Sequence, residues 1–245
     1  MHSIAIIFLS CVVIPAYSLK VVVSGYNTRL ATYDVRGSEL SPSGEWDVGA
    51  ENHDMTWLQV DGGVLWAGHE VGDYHGDPTS VASRWEVSPD GLTLQLQEFV
   101  STQSVYTAHL QVDKEQGMAY AANYGGSSFT AIALNNGDTL GEVVHSENYG
   151  QCRDASHPHQ TVTLNEWVWV VDLGCDTIWH YKVEQQQVTK VGQTSVRDGA
   201  GPRHMVIHPE RSLAFLLCEL QSWVQVYRFI TLASIVMNSD ILFIT

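Results

Sequence analysis

Hydrophobic positions fall in short runs of β-branched, aromatic and aliphatic residues, separated by Gly, Pro, Asn, Asp and Ser. That is the pattern of β-strands joined by turns. The clearest stretch runs from Gly199 to Arg228. His204 to Ile207 is a short apolar run. His208-Pro209-Glu210-Arg211 is a turn, because proline fixes its own φ and restricts the residue before it. Leu213 to Cys218 is a continuous apolar run, as expected of a strand buried on both faces. Gln221-Ser222 interrupts it, and Trp223 to Arg228 resumes with residues that favour strands.

Upstream segments repeat this plan. Leu19 to Val23 and Leu30 to Val35 are predicted strands with Gly25 and Asn27 between them, and Gly37 to Gly44 reads as a loop. Leu58-Gln59-Val60-Asp61 returns as Leu110-Gln111-Val112-Asp113. Each copy leads through a glycine-containing turn into an apolar strand, Val64 to Ala67 and Met118 to Ala122. Trp167 to Val171 and Leu213 to Leu217 are the corresponding later strands. Polar residues close them: His69, Asn123, Asp172 and Cys218-Glu219, at intervals of 54, 49 and 46 residues. A drifting period with several strands per unit predicts a β-propeller, an all-β fold of four or five blades over residues 19–228. No stretch of ten or more residues carries helical periodicity. Phe229 to Thr245 is apolar and atypical, and supplies at most one outer strand.

Hairpin symmetry gathers the polar residues. Arg203 and Glu219 are equidistant from Arg211, His159 and Asp172 from the Asn165-Glu166 turn, and His109 and Asn123 from Gln116. In a propeller such strand ends share one mouth. The expected ring is Trp57, His109, His159, Arg203 and His204 from strand starts, with Asn123, Asp172 and Glu219 from strand ends. A buried polar group without a partner costs a few kcal/mol, so a recurrent polar position demands a function or a bond. A guanidinium fork beside a carboxylate can bind an anion and handle a proton. The plain alternative is a surface ion pair.

Charge narrows the function. With 27 acidic and 12 basic side chains the net charge is -15. This argues against nucleic acid, which needs a basic footprint, and against an anionic membrane surface. Eight tryptophans and 44% hydrophobic residues provide material for a core. Ile4 to Ile14 is apolar, ends in Pro15-Ala16-Tyr17-Ser18 and is too short to span a bilayer. It reads as a secretory signal over residues 1–18 cleaved before Leu19, the alternative being a buried N-terminal strand or a cytoplasmic protein. Cleavage would leave Cys152, Cys175 and Cys218, enough for one disulfide and a spare thiol.

Asn123-Tyr124-Gly125-Gly126-Ser127, Pro158-His159, Asp172-Leu173-Gly174, Gly199-Ala200-Gly201-Pro202-Arg203-His204 with His208-Pro209, and Glu219-Leu220 resemble the lactonase family of seven-bladed β-propellers. That family includes the propeller-type 6-phosphogluconolactonases and the carboxy-cis,cis-muconate cyclases. The resemblance covers roughly Leu19 to Arg228. It implies a metal-independent site with no cofactor, made of His157 or His159, Arg203 and Glu219, and a small lactone or acidic sugar as substrate. The ring residues His109, Asn123, Asp172 and His204 are the expected substrate contacts. Three departures stand out. Cys218 replaces the asparagine usual before the glutamate. Five units are visible where the family has seven, so the chain reads as C-terminally truncated. The family's usual enzymes are cytosolic. An open arc would leave two sheet edges and invite self-association.

His157-x-His159 lacks a sequence-local third zinc ligand. Gly125-Gly126-Ser127 precedes no helix, so it is no phosphate loop, and no nucleophile-elbow motif is present. Two functions remain: a lactone hydrolase or lactonising enzyme, or a non-catalytic secreted propeller that binds without chemistry.

Overall fold

The computed structural model describes residues 10–14, 18–150, 152, 155–231 and 234–243. They form five antiparallel four-stranded sheets, each a meander in chain order. Blade I is β1 (Ser10–Ile14), β2 (Ser18–Val23), β3 (Arg29–Arg36) and β4 (Glu39–Asp47). Blade II is β5 (Met55–Asp61), β6 (Val64–His69), β7 (Val81–Val87) and β8 (Leu94–Ser101). Blade III is β9 (Thr107–Asp113), β10 (Met118–Asn123), β11 (Ser128–Asn135) and β12 (Thr139–Asn148). Blade IV is β13 (Pro158–Leu164), β14 (Trp167–Asp172), β15 (Thr177–Glu184) and β16 (Gln187–Ser195). Blade V is β17 (Pro202–Ile207), β18 (Leu213–Cys218), β19 (Trp223–Thr231) and β20 (Ser234–Phe243). The first strands of successive blades pack on one another, β5 on β9, β9 on β13 and β13 on β17. The all-β propeller predicted from the repeat is the observed architecture.

Two segments differ from their sequence reading. Gly37 to Gly44 is not a loop: the turn is confined to Gly37-Ser38, and Glu39–Asp47 is an outer strand. Its Ser, Gly and Pro are tolerated because the strand is mostly exposed and Pro42 sits beside a register shift, where a missing N–H costs little. Within the expected leader, Ser10–Ile14 pairs with β2 as the first strand of blade I, while residues 1–9 and 15–17 lie outside the described residues. Beyond Phe229, β20 pairs with β19 as the outer strand of blade V.

The continuous apolar second strands are explained by burial on both faces. On β14, Trp167, Trp169 and Val171 face blade V and pack with Met205, Leu216 and Tyr227. The alternate residues Val168 and Val170 face blade III and meet Tyr120 and Ala131. On β6, Leu65 and Ala67 join the blade I side, and Trp66 joins the blade III side. β6, β10 and β14 are thus walls shared by two apolar layers, whereas β18, expected to be buried on both faces, packs Ala214, Leu216 and Cys218 against blade IV and leaves Phe215 exposed on its other face.

One irregularity recurs in four blades. The pairing of first and second strands shifts between Met55 and Trp57, between Thr107 and His109, between Pro158 and Gln160, and between Pro202 and His204. Each is a β-bulge that leaves one residue unopposed: Thr56, Ala108, His159 and Arg203. The residue after each second strand then donates its N–H to the carbonyl two residues before the bulge. The bonds are Glu70 to Asp54 (2.9 Å), Tyr124 to Tyr106 (2.8 Å), Leu173 to His157 (3.0 Å) and Glu219 to Gly201 (2.8 Å).

The inner edges of the first strands are satisfied by side chains of the preceding blade. Gln59 Oε1 accepts the Val112 N–H at 2.8 Å and its Nε2 donates to the Val112 carbonyl at 2.8 Å. Gln160 Oε1 accepts the Met205 N–H at 2.5 Å, and His109 Nδ1 stands 3.4 Å from the Thr161 nitrogen, which donates to it. Burial keeps several imidazoles neutral. His69 and His180 are lowered to about 4, and His159 and His204 to about 3. His109 is lowered well below its ordinary value, again by burial first.

Trp169→Ala should destabilise the fold by about 3–5 kcal/mol, because it empties a fully buried site between blades IV and V. Urea denaturation would read this directly, and a loss under 1 kcal/mol would contradict the packing. Acid is the second test. The unfolded chain protonates these histidines near the ordinary 6.5, whereas the folded chain does so only near 3 to 4. Their contribution is therefore complete above pH 6.5 and is lost progressively as pH falls toward 4. The urea midpoint should drop steadily from pH 7 to pH 5; a flat midpoint would show that these rings are not buried neutral.

Candidate active site

Arg203 owes its position to two constraints. Pro202 pairs with Cys218 and His204 with Leu217, so Arg203 is the bulged residue between them. The loop before it is held by Asp176 of blade IV, whose carboxylate accepts the N–H groups of Gly199 (2.7 Å) and Gly201 (2.8 Å). Gly201 has φ 62°, and a β-carbon there would collide with the Leu220 side chain. The Glu219 backbone is tied to Gly201, and the Arg203 guanidinium meets the Glu219 carboxylate through Nη1 and Oε2. Hairpin symmetry thus paired the right side chains. The register itself is offset by the bulge. Arg203 Nε is buried and has no hydrogen-bond partner.

His159 is the bulged residue of blade IV. Its ring lies 5.0 Å from that of His204, at 84°, and 5.7 Å from that of Tyr124, at 81°. It is 8% exposed, and its Nδ1 has no partner. Burial first, then the Arg203 charge, hold both His159 and His204 neutral. His157 is differently placed. Its ring stacks on Tyr124 at 4.4 Å, its Nδ1 is 3.0 Å from the Tyr124 carbonyl, and its N–H donates to Asp172 at 2.9 Å. Trp57 completes the floor, 4.0 Å from the His109 ring and 6.1 Å from His204.

The expected ring needs correction at three places. Asn123 and Asp172 are wholly buried and do not line the mouth. Asn123 Oδ1 accepts from Thr107, and its Nδ2 donates to Ser128 and Thr130. Asp172 accepts from the Ser156 hydroxyl (2.6 Å), the His157 and Cys175 N–H groups and the Trp179 indole (3.0 Å). His109 is buried against Thr161 as an edge partner of β13. These polar residues close blades with internal bonds, so their burial needs no ligand.

Sequence reasoning missed Tyr124, Glu70 and Tyr26. Tyr124 and Glu70 occupy the position of Glu219 in blades III and II, one residue past the second strand. The repeat itself marks this position, one residue beyond each polar closing residue. The Tyr124 phenol is pushed up by burial and then by Glu219, against the pull of Arg203, so it stays protonated. The Tyr26 hydroxyl donates to Glu70 at 2.5 Å. Beside the mouth, Cys152 and Cys175 form a disulfide, and Cys218 is a buried free thiol. Among the described residues no three His, Cys, Asp or Glu side chains converge as a metal ligand set.

Residues 20–236 match the family described as Lactonase, 7-bladed beta-propeller. A 6-phosphogluconolactonase of Bacillus subtilis (strain 168) is 28% identical over 121 residues, which are 46% of this chain and 35% of that protein. The matched stretch thus spans about a third of that relative. The chain superposes on a Lactobacillus plantarum protein with TM-score 0.79 at 20% identity, covering 93% of this chain and 67% of that one. A periplasmic gluconolactonase of Pseudomonas aeruginosa gives TM-score 0.77 at 18% identity, covering 91% and 68%. With five propeller blades and the family match running through nearly all of them, the chain belongs to the seven-bladed β-propeller lactonase family.

Proposed function

We propose that this chain acts at the mouth as a metal-independent lactone hydrolase. The carrying observation is the Arg203–Glu219 contact at a bulge, next to two neutral imidazoles and with Arg203 Nε unpartnered. The guanidinium donates to the lactone carbonyl oxygen and stabilises the negative charge that develops there. Glu219 takes a proton from water as the water oxygen attacks the carbonyl carbon. The ring C–O bond then breaks, and the proton held by Glu219 passes to the leaving alkoxide. The product is the open hydroxy acid. His159 and His204 are donors or acceptors without charge.

The described part of the mouth favours an uncharged sugar lactone over a phosphorylated one. Its guanidinium is already paired with a carboxylate, and the protein's net charge is -15. Export belongs to the same proposal, supported by the Cys152–Cys175 disulfide, which persists in oxidising compartments. Cleavage before Leu19 would release β1 from blade I.

Arg203→Lys keeps the charge but loses the planar fork, so it should raise KM and lower kcat/KM. Glu219→Gln keeps the shape without the base and should lower kcat about 100-fold or more. A pH-stat assay on a lactone panel measures both. Turnover unaffected by either change would place the chemistry elsewhere, and no turnover of any lactone would favour the non-catalytic binding module. For export, the mature N-terminus from the native host should begin near Leu19 by mass spectrometry; a chain starting at Met1 would rule out cleavage.

A further inference from the structure

The blade repeat places a second carboxylate in the position of Glu219. Glu70 follows β6 as Glu219 follows β18, and each is fixed by the same backbone bond, to Asp54 and to Gly201. The two differ in their partners. Glu219 is bound by a guanidinium, whereas Glu70 is bound by a phenol, Tyr26, whose side chain is largely in solvent at 69% exposure. Between them in the repeat stands Tyr124, with its ring against His157 and His159. Burial first, then Glu219, raises the Tyr124 phenol, with Glu70 adding to it, and burial first, then Glu70, raises the Tyr26 phenol against the pull of Arg203, so the five groups share one electrostatic neighbourhood.

A carboxylate accepting from the phenol of one exposed aromatic ring suits a polyhydroxylated ligand. Hydroxyl groups donate to the carboxylate, and the apolar C–H faces of a sugar ring lie on aromatic faces. An arginine beside the carboxylate would suit an anion instead, and here the arginine belongs to the other pair. We propose that Glu70 and Tyr26 form a subsite that binds the hydroxyl groups of a sugar lactone, while Arg203 and Glu219 address its ester. This rests on the hydrolase reading for the ester half only. The hydroxyl half is a binding claim and stands by itself.

The experiment compares two lactones of the same ring size. Glucono-δ-lactone carries hydroxyl groups and δ-valerolactone carries none. Glu70→Ala and Tyr26→Phe should each raise KM for glucono-δ-lactone about tenfold more than for δ-valerolactone, the cost of one charge-assisted hydrogen bond. A structural role would move both substrates together. Tyr26→Phe removes only an exposed hydroxyl, so it guards against misfolding of the Glu70 variant. Titration of gluconate by calorimetry reads the subsite without turnover. If the parent hydrolyses neither lactone but binds gluconate, and both variants lose that binding, the subsite stands and the hydrolase reading fails. Equal KM changes for the two lactones overturn the subsite and leave hydrolysis intact. A parent that turns over neither lactone and binds no gluconate overturns both.

Discussion

One backbone arrangement governs the mouth of this propeller: a bulge in the first strand, closed by a hydrogen bond from just beyond the second. It occurs at Thr56, Ala108, His159 and Arg203, with closing bonds of 2.8 to 3.0 Å. A regular ladder would pair every residue and send alternate side chains into the blade interfaces. The bulge inserts one unopposed residue and re-aims it. The interfaces tolerate this because their apolar layers are formed lower down, by Trp66, Tyr120 and Trp169, and by Leu216.

The same geometry explains why so many polar groups are buried without serving a ligand. Where a first strand faces the axis it has an edge, and unpaired N–H groups on an edge are costly. Gln59, His109 and Gln160 supply the acceptors that a neighbouring strand would otherwise provide. At the ends of second strands, His69, Asn123 and Asp172 tie strand to strand: His69 through the His53 carbonyl and Ser83, Asp172 through four donors. A residue with every lone pair occupied has nothing left for a substrate. Arg203 Nε and His159 Nδ1 are different in kind, because their capacity is unspent.

Much of this was legible in the sequence, because the fold repeats. The interval between closing residues located the blades, and the uninterrupted apolar run at Trp167 to Val171 located a doubly buried strand, whereas the similar run at Leu213 to Leu217 is buried on one face only. The Arg203–Glu219 pairing followed from counting outward from a turn. What the sequence did not reveal were one-residue offsets and saturation. No residue type marks a bulge here, since Thr, Ala, His and Arg all occupy the position. Nor does an Asp in a sequence declare that Ser156 and Trp179 will fill its oxygens. Gly37 to Gly44 reads as a loop in the sequence because the exposed outer strand Glu39–Asp47 has no apolar face to announce it.

Equivalent positions with unlike side chains indicate how such a fold takes on chemistry. Past the second strand stand Glu70, Tyr124, Leu173 and Glu219, all held by one backbone bond. At the bulge stand Thr56, Ala108, His159 and Arg203. The two sets do not vary together. Blade IV presents an imidazole from its bulge and an inert leucine beyond its second strand. Blade II does the reverse, with threonine at the bulge and a carboxylate beyond. Blade V carries a charged side chain at both, and there the guanidinium and carboxylate meet within one hairpin. A mouth assembled this way can exchange a side chain in one blade without disturbing the next, since the backbone bonds that position it are indifferent to what they carry. Function then resides in the pattern of occupied positions around the ring, not in any one blade.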